Sequence, residues 1–127
     1  MQRLQLIKTH LQPNEVFNYN QTKAQSDDDV VVVGYARTAL AKGKRGGFKD
    51  TPCDHMLHAV FEDVVKKTKV NVNDIGDIRI GNNLQAGAGS ITARMAQLRA
   101  NIPHTTPIHA INRLCSSGLQ AVATIAN

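Results

Sequence analysis

The sequence predicts an α/β fold in which three parallel strands alternate with three helices. Short runs rich in Val or Ile, at residues 30–33, 77–81 and 108–112, are typical of strands inside a sheet. Each run is followed by a segment whose apolar residues have helical spacing or which lacks charge altogether. This alternation of strand and helix predicts a parallel sheet with right-handed crossovers.

The chain divides into two regions of different composition. At 127 residues it has room for one ordinary domain. Asn, Gln and Lys dominate residues 14–25, and an acidic run closes that stretch, which is typical of a tether. We therefore expect a flexible N-terminal segment at residues 1–26 and an incomplete α/β domain at residues 27–127.

The first two predicted helices are amphipathic. The first begins at Thr51, as the cap, with Pro52 as its first helical residue and Asp54 at the positive end of the helix dipole. Its apolar residues recur at helical spacing: Met56, Leu57, Val60, Phe61, Val64 and Val65. The second helix is marked by an apolar stripe of Ile91, Met95, Leu98 and Ile102.

The third predicted helix, at residues 116–127, has no charged residue and no polar face. A helix that is apolar all round is buried on every side. Three strands and two other helices cannot surround it. We therefore expect that the chain continues, or pairs with another chain, beyond Asn127, and that this helix is buried in the complete protein.

Composition narrows the classes of function. Cys53 and Cys115 lie far apart in different motifs, which indicates free thiols in a reducing compartment and no disulfide framework. No apolar stretch approaches membrane-spanning length, so no membrane association is expected. Five cations crowd residues 37–49, which form either a solvated surface loop or a phosphate-binding loop. Nucleic acid is disfavoured there because only Phe48 is available for base stacking, and no metal site is expected.

A cysteine follows the last predicted strand, within the segment Asn112-Arg113-Leu114-Cys115-Ser116-Ser117-Gly118-Leu119. The small residues after Cys115 allow a tight turn into a helix, with Ser116 or Ser117 near its cap. Unpaired N–H groups and the helix dipole favour thiolate over thiol at such a place. Cys115 is therefore a candidate nucleophile, and the alternative is a small buried packing residue. Cys53 lies in an ordinary helix-capping sequence and is expected to be structural.

Four segments in this order resemble the thiolase family: Arg37-Thr38, Arg45-Gly46-Gly47-Phe48-Lys49-Asp50, residues 81–89, and the Cys115 segment. Leu114 stands where the peroxisomal branch usually has Gln, although other branches have Leu there. The resemblance implies an acetyl-CoA C-acyltransferase of peroxisomal fatty-acid β-oxidation, a homodimer that uses coenzyme A and acyl-CoA as substrates with no permanently bound cofactor. It implies that Cys115 forms an acyl-thioester and that its backbone N–H contributes to an oxyanion hole.

The resemblance also implies participants that this chain does not contain. The family's two histidines, its asparagine at the other oxyanion site and its second cysteine belong to later motifs. We therefore expect the 127-residue chain alone to be inactive. The alternative function is a catalytically inactive fragment that only binds an import receptor or a full-length partner.

The N-terminal segment carries an Arg-Leu pair and a His-Leu pair with five residues between them: Arg3, Leu4, His10 and Leu11. Seven residues are nearly two helical turns, so the pairs lie above one another with Ile7 between the leucines. The pattern resembles the nonapeptide that directs matrix proteins to peroxisomes, which implies an import receptor as partner and the peroxisomal matrix as destination. A mitochondrial presequence fits poorly, because only Arg3 and Lys8 supply charge before Glu15 and serine is absent before Ser26.

Overall fold

The computed structural model describes residues 26–127, and the four predicted targeting residues Arg3, Leu4, His10 and Leu11 lie outside the described residues. Within these described residues, three helices and two strands follow in the order α1 (Cys53–Thr68), β1 (Ile78–Gly81), α2 (Ser90–Arg99), β2 (Ile108–Ile111) and α3 (Ser117–Ala126). Short 3₁₀ segments lie at Val72–Asp74 and Ala86–Gly89. The predicted alternation of strand and helix is confirmed for the second and third strands and for all three helices.

The two strands form a parallel pair whose register runs from Ile78 opposite Ile108 to Gly81 opposite Ile111. Helix α2 makes the crossover between them, as the sequence predicts for parallel neighbours. One face of the pair carries the core: Ile78, Ala100 and Ile102 are buried, with Phe61, Val72, Ile75, Ile80 and Ile108 packed against them. The opposite face packs against α3.

The predicted first strand is wrong for this structure, because residues 30–33 are not in a strand within the described part of the chain. Their valines are 70–83% exposed. The run lies beside α3 across a cavity of about 230 Å³ and beside the last turn of α1 across one of about 370 Å³. A β-branched run becomes a buried strand only when another strand pairs with its backbone and both faces are covered. In residues 26–127 these valines gain neither.

Helix α1 begins one residue later than the sequence predicts. Cys53 is its first residue, and Pro52 occupies the cap position with an extended backbone and no capping side chain. The Pro52 carbonyl accepts the N–H groups of His55, at 3.2 Å, and Met56, at 3.4 Å. Asp54 lies in the first turn, where the prediction places it, and forms an ion pair of 3.1 Å with Arg99 of α2.

Helix α2 presents a different face to the core from the one predicted. Ile91, Met95 and Leu98 are 77%, 50% and 49% exposed, whereas Ala93, Ala96 and Gln97 are buried. Small alanine side chains allow a closer approach of the helix than the predicted apolar stripe would. The stripe is therefore wrong as a guide to the buried side of α2, although Ile102, beyond the helix end, is buried as expected.

Helix α3 packs along one side only. Ser117 and Ala121 are buried, while Leu119, Val122 and Ile125 are 75%, 61% and 49% exposed. Its burial in the complete protein stays a prediction. None of the helices in residues 26–127 combines the length and the apolarity that crossing a membrane requires.

Candidate active site

The candidate nucleophile Cys115 lies in the turn between β2 and α3, beyond the carboxyl end of β2. Its side chain is exposed, so the packing alternative does not describe it here. Helix α3 begins two residues later at Ser117, and Ser116 occupies the cap position without a capping hydrogen bond from its side chain. The sequence thus predicts the position of the turn correctly.

The turn is closed by backbone hydrogen bonds. The N–H of Ser116 donates to the carbonyl of Arg113 at 3.1 Å, and the N–H of Ser117 donates to the carbonyl of Leu114 at 3.1 Å. Leu114, which directly precedes Cys115, has a φ of 50°, in the left-handed region that residues with a Cβ rarely adopt. The chain therefore changes direction sharply at the residue before the thiol.

The Ser117 hydroxyl makes two contacts back into this turn. It accepts the N–H of Arg113 at 2.8 Å and donates to the carbonyl of Leu114 at 2.6 Å. Ser117 is 4% exposed. The sequence singled out Ser117 only as a possible helix cap, so its contacts on both sides of Leu114 are a feature that sequence reasoning missed.

Asn112 connects the cysteine turn to the loop that follows β1. Its amide nitrogen donates to the carbonyl of Asn83 at 3.1 Å, and its amide oxygen accepts the N–H of Leu114 at 3.0 Å. The backbone makes the same connection, because the N–H of Asn82 donates to the carbonyl of Ile111 at 2.9 Å. An asparagine at the end of a strand was the available signal for such a bridge.

The glycine that ends β1 allows α3 to start close to the sheet. A Cβ at Gly81 would lie 2.6 Å from the backbone nitrogen of Gly118 and 2.6 Å from the carbonyl carbon and oxygen of Ser117. No side chain fits between these backbones. The start of α3, and with it the cysteine turn, is therefore placed directly against the carboxyl end of β1.

The Gly-rich loop from residue 82 to residue 89 is a turn held by its own amides. The Asn82 amide donates to the Gln85 side-chain oxygen at 2.8 Å. Three successive residues, Gly87, Ala88 and Gly89, have φ values of 58°, 53° and 69°. These hydrogen bonds and left-handed residues account for the loop as a turn, although Ala88 adopts a conformation that glycine takes more readily.

The second cysteine and the basic stretch both lie on the surface. Cys53 is also exposed, at the first residue of α1. The four cations of the basic stretch after Arg37 are exposed in consecutive turns: Lys42, Lys44, Arg45 and Lys49. A Cβ at Gly46 would lie 2.6 Å from the Lys42 nitrogen, so this glycine is required for the close turn. These positions agree with a surface loop.

This arrangement of parallel strands, crossover helix and cysteine turn corresponds to a known family. The family described as "Thiolase, N-terminal domain" matches residues 30–127. The chain belongs to the thiolase family, a class of acyltransferases.

The curated relatives come from the peroxisomal branch of that family. The chain is 46% identical to the human peroxisomal 3-ketoacyl-CoA thiolase over 134 aligned positions, which cover 99% of this chain and 32% of the relative. It is 43% identical to the peroxisomal 3-ketoacyl-CoA thiolase of Yarrowia lipolytica, over 100% of this chain and 31% of the relative. The chain thus spans about a third of the length of these relatives. Their peroxisomal names agree with the localisation that the N-terminal pattern predicts.

Solved structures agree with the fold. The peroxisomal 3-ketoacyl-CoA thiolase of Saccharomyces cerevisiae matches with a TM-score of 0.75 at 39% identity, over 81% of this chain and 31% of that chain. That protein is described as a five-layered structure built from two core domains of identical topology. The Bacillus anthracis acetyl-CoA acetyltransferase matches with a TM-score of 0.70 at 28% identity, over 77% of this chain and 25% of that one.

Proposed function

We propose that this chain carries the nucleophile of a 3-ketoacyl-CoA thiolase, and that Cys115 is that nucleophile. The observation that carries the proposal is the turn after β2, where an exposed cysteine lies two residues before the first residue of a helix. The family membership supports the same role for this turn. A thiol at a helix start is the setting in which the thiolate is stabilised by backbone N–H groups and the helix dipole.

The proposed reaction is the thiolytic cleavage of a 3-ketoacyl-CoA. The Cys115 thiolate forms a bond to the keto carbon, the bond between the second and third carbons breaks, and acetyl-CoA leaves after taking up a proton at its methyl carbon. The acyl group stays on the sulfur as a thioester, and the thiol of a second coenzyme A takes it, which regenerates the Cys115 thiolate. Cysteine suits both steps because its thiolate is a strong nucleophile and also a good leaving group.

Two further parts of the proposal concern charge and proton transfer. The backbone N–H of Cys115 stabilises the oxyanion that forms when the keto carbon is attacked. The bases that remove and return protons come from later family motifs, as the resemblance implies. The isolated 127-residue chain is therefore expected to form an acyl-cysteine slowly and to show no turnover.

An affinity label tests the role of Cys115 directly. A haloacetyl analogue of coenzyme A, incubated with the 127-residue chain, is expected to alkylate Cys115 before Cys53, as read by mass spectrometry of the two peptides. Both thiols are exposed, so accessibility alone does not separate them. The variant Cys53→Ala is expected to keep the fast labelling, and Cys115→Ser is expected to remove it and leave only the slower labelling of Cys53. Equal rates at the two thiols would contradict the proposal.

The proposed address is the peroxisomal matrix, reached through an import receptor that binds Arg3, Leu4, His10 and Leu11. The relatives' names support the compartment. Residues 1–26 fused to a fluorescent reporter are expected to enter peroxisomes, and the variants Arg3→Glu and Leu4→Arg are expected to stay in the cytosol. Delivery of the unchanged fusion to mitochondria would identify the segment as a presequence instead.

A second candidate function is a partner-binding module without activity. The exposed apolar residues of α3, with the valines at 30–33 beside them, favour a surface that another polypeptide covers. A full-length thiolase subunit is the proposed partner, consistent with a homodimeric enzyme. One Saccharomyces cerevisiae relative is described as a dimeric peroxisomal thiolase. Acylation of Cys115 separates the two functions. The main proposal expects the 127-residue chain to form an acyl-cysteine with an acyl-CoA, whereas the inactive module forms none.

A further inference from the structure

We propose that Ser117 and Asn112 are positioning residues for Cys115: together they hold Leu114 in its left-handed conformation and so fix the thiol at the start of α3. This inference rests on the proposed function only in naming Cys115 as the nucleophile. We call the two side chains, with the four hydrogen bonds they make, the turn clamp.

Ser117 does not act as an ordinary helix cap. A capping serine precedes its helix and accepts an N–H from the second or third residue of that helix. Ser117 is instead the first residue of α3, and its hydroxyl bonds backwards to the Arg113 N–H and the Leu114 carbonyl. These two groups flank the backbone torsion at Leu114. Because Ser117 is only 4% exposed, water competes little for these bonds.

Asn112 bonds to the backbone N–H of Leu114. Its oxygen accepts the Leu114 N–H, so both backbone polar groups of Leu114 are held by the clamp. Its nitrogen bonds to the carbonyl of Asn83, which ties the turn to the loop after β1. The clamp therefore fixes Leu114 relative to both the helix and the sheet.

The consequence concerns the thiol one residue later. Without these side-chain bonds, the backbone bond from the Ser117 N–H still holds the Leu114 carbonyl. We expect Leu114 then to return more often to a right-handed or extended conformation, because the left-handed region brings its Cβ against the following carbonyl. That rotation changes the direction of the chain at Cys115 and therefore moves its side chain relative to the first turn of α3. A sulfur displaced from its place beside the start of α3 is expected to be alkylated more slowly.

The experiment measures the alkylation rates of Cys115 and Cys53 by iodoacetamide at neutral pH, in the 127-residue chain and its variants. Cys53 serves as the internal reference. Ser117→Ala removes two bonds and is expected to lower the ratio of the Cys115 rate to the Cys53 rate about fivefold, the equivalent of one net hydrogen bond. Ser116→Ala is the matched control, because the neighbouring serine makes no capping bond. It is expected to leave the ratio within twofold.

Two further variants separate positioning from general stability. Asn112→Ala removes both bonds of Asn112 without adding a charge near the thiol, and it is expected to lower the ratio in the same direction as Ser117→Ala. Leu114→Gly supplies a residue that adopts positive φ without strain. In the Leu114→Gly background, Ser117→Ala is expected to lower the ratio less than twofold, a rescue that a merely structural role of Ser117 does not predict.

Equal ratios in the wild type, Ser117→Ala and Asn112→Ala would overturn the turn clamp, as would a Ser117→Ala effect of the same size in both backgrounds. If the Ser117→Ala variant loses its far-ultraviolet circular dichroism and is therefore unfolded, the Asn112→Ala variant tests the turn clamp instead, because Asn112 is exposed. The proposed function fails separately: it requires that Cys115 react faster than Cys53 in the wild type, whereas the clamp requires only that the variants change the Cys115 rate.

Discussion

Replacing Gln97 by methionine is expected to destabilise the domain more than replacing the exposed Ile91 on the predicted apolar stripe of α2. Gln97 is 0% exposed, and its amide nitrogen donates to the carbonyls of Pro103, at 2.8 Å, and Thr106, at 3.0 Å. Its oxygen accepts Arg94 at 2.9 Å. Methionine has a similar length and fills the space, so the loss is mainly these three bonds. At about 1 kcal/mol each, the free energy of unfolding is expected to fall by about 2–3 kcal/mol, with the smaller value if Arg94 keeps its bond to Thr106.

Urea unfolding followed by circular dichroism measures this loss. Ile91→Gln is the matched control on the same helix, because Ile91 is mostly exposed and its replacement is expected to change the free energy by less than about 0.5 kcal/mol. A loss below about 0.5 kcal/mol in Gln97→Met would refute the role of the bonds. An equal loss in Ile91→Gln would show that the apolar stripe faces the core after all.

Three further changes have defined expectations in the same unfolding assay. Gly81→Ala is expected to lower the free energy of unfolding by about 1–3 kcal/mol, because the new Cβ would meet the backbone of Gly118, which cannot move aside as a flexible side chain can. A neutral result would mean that α3 shifts freely. Ala88→Gly is expected to raise stability by about 0.5–1 kcal/mol, since glycine removes left-handed strain at some cost in chain entropy; a loss would show that the loop is not strained. Arg99→Met is expected to lower the free energy of unfolding by at most about 0.5 kcal/mol, because Arg99 is nearly half exposed in its ion pair with Asp54. A larger coupling energy in the double-mutant cycle with Asp54→Asn would contradict this expectation.

The order of elements was predictable from the sequence, but the buried side of one helix was not. Apolar periodicity identifies α2, yet it favours Ile91 and Met95 as core residues over Gln97. A glutamine is buried only when specific acceptors are present, and those acceptors are carbonyls of the connection between α2 and β2. Sequence periodicity contains no information about where a loop's carbonyls point, so this contact becomes visible only in three dimensions.

The strand prediction at residues 30–33 has a different limit. The four valines express a local preference for strand conformation, but a strand also needs a partner to bond with its backbone. Sequence composition predicts the preference and not the partner. Residues 78–81 and 108–111 pair with each other, and so both strand predictions are confirmed to within one residue.

The position of the cysteine turn was predictable from the sequence, but its hydrogen bonds were not. Its place, after a strand and before a helix, follows from the order of elements, whereas the bonds of Ser117 and Asn112 depend on the left-handed turn at Leu114. Serine and asparagine near a turn have many possible partners, and the sequence supplies no means of choosing between them.

The two faces of the sheet are stabilised by different forces, and this difference bears on the candidate site. The face under α1 and α2 has a buried aliphatic core, but the face under α3 has Leu119 and Val122 exposed. Apolar burial therefore contributes little to holding the start of α3 in residues 26–127. Backbone contact at Gly81 and the polar bonds of Ser117 and Asn112 hold it instead. These contacts are local to the turn. We therefore expect the orientation of Cys115 to be independent of any polypeptide that packs on the apolar side of α3. Such packing would stabilise the helix without changing the hydrogen bonds of the turn.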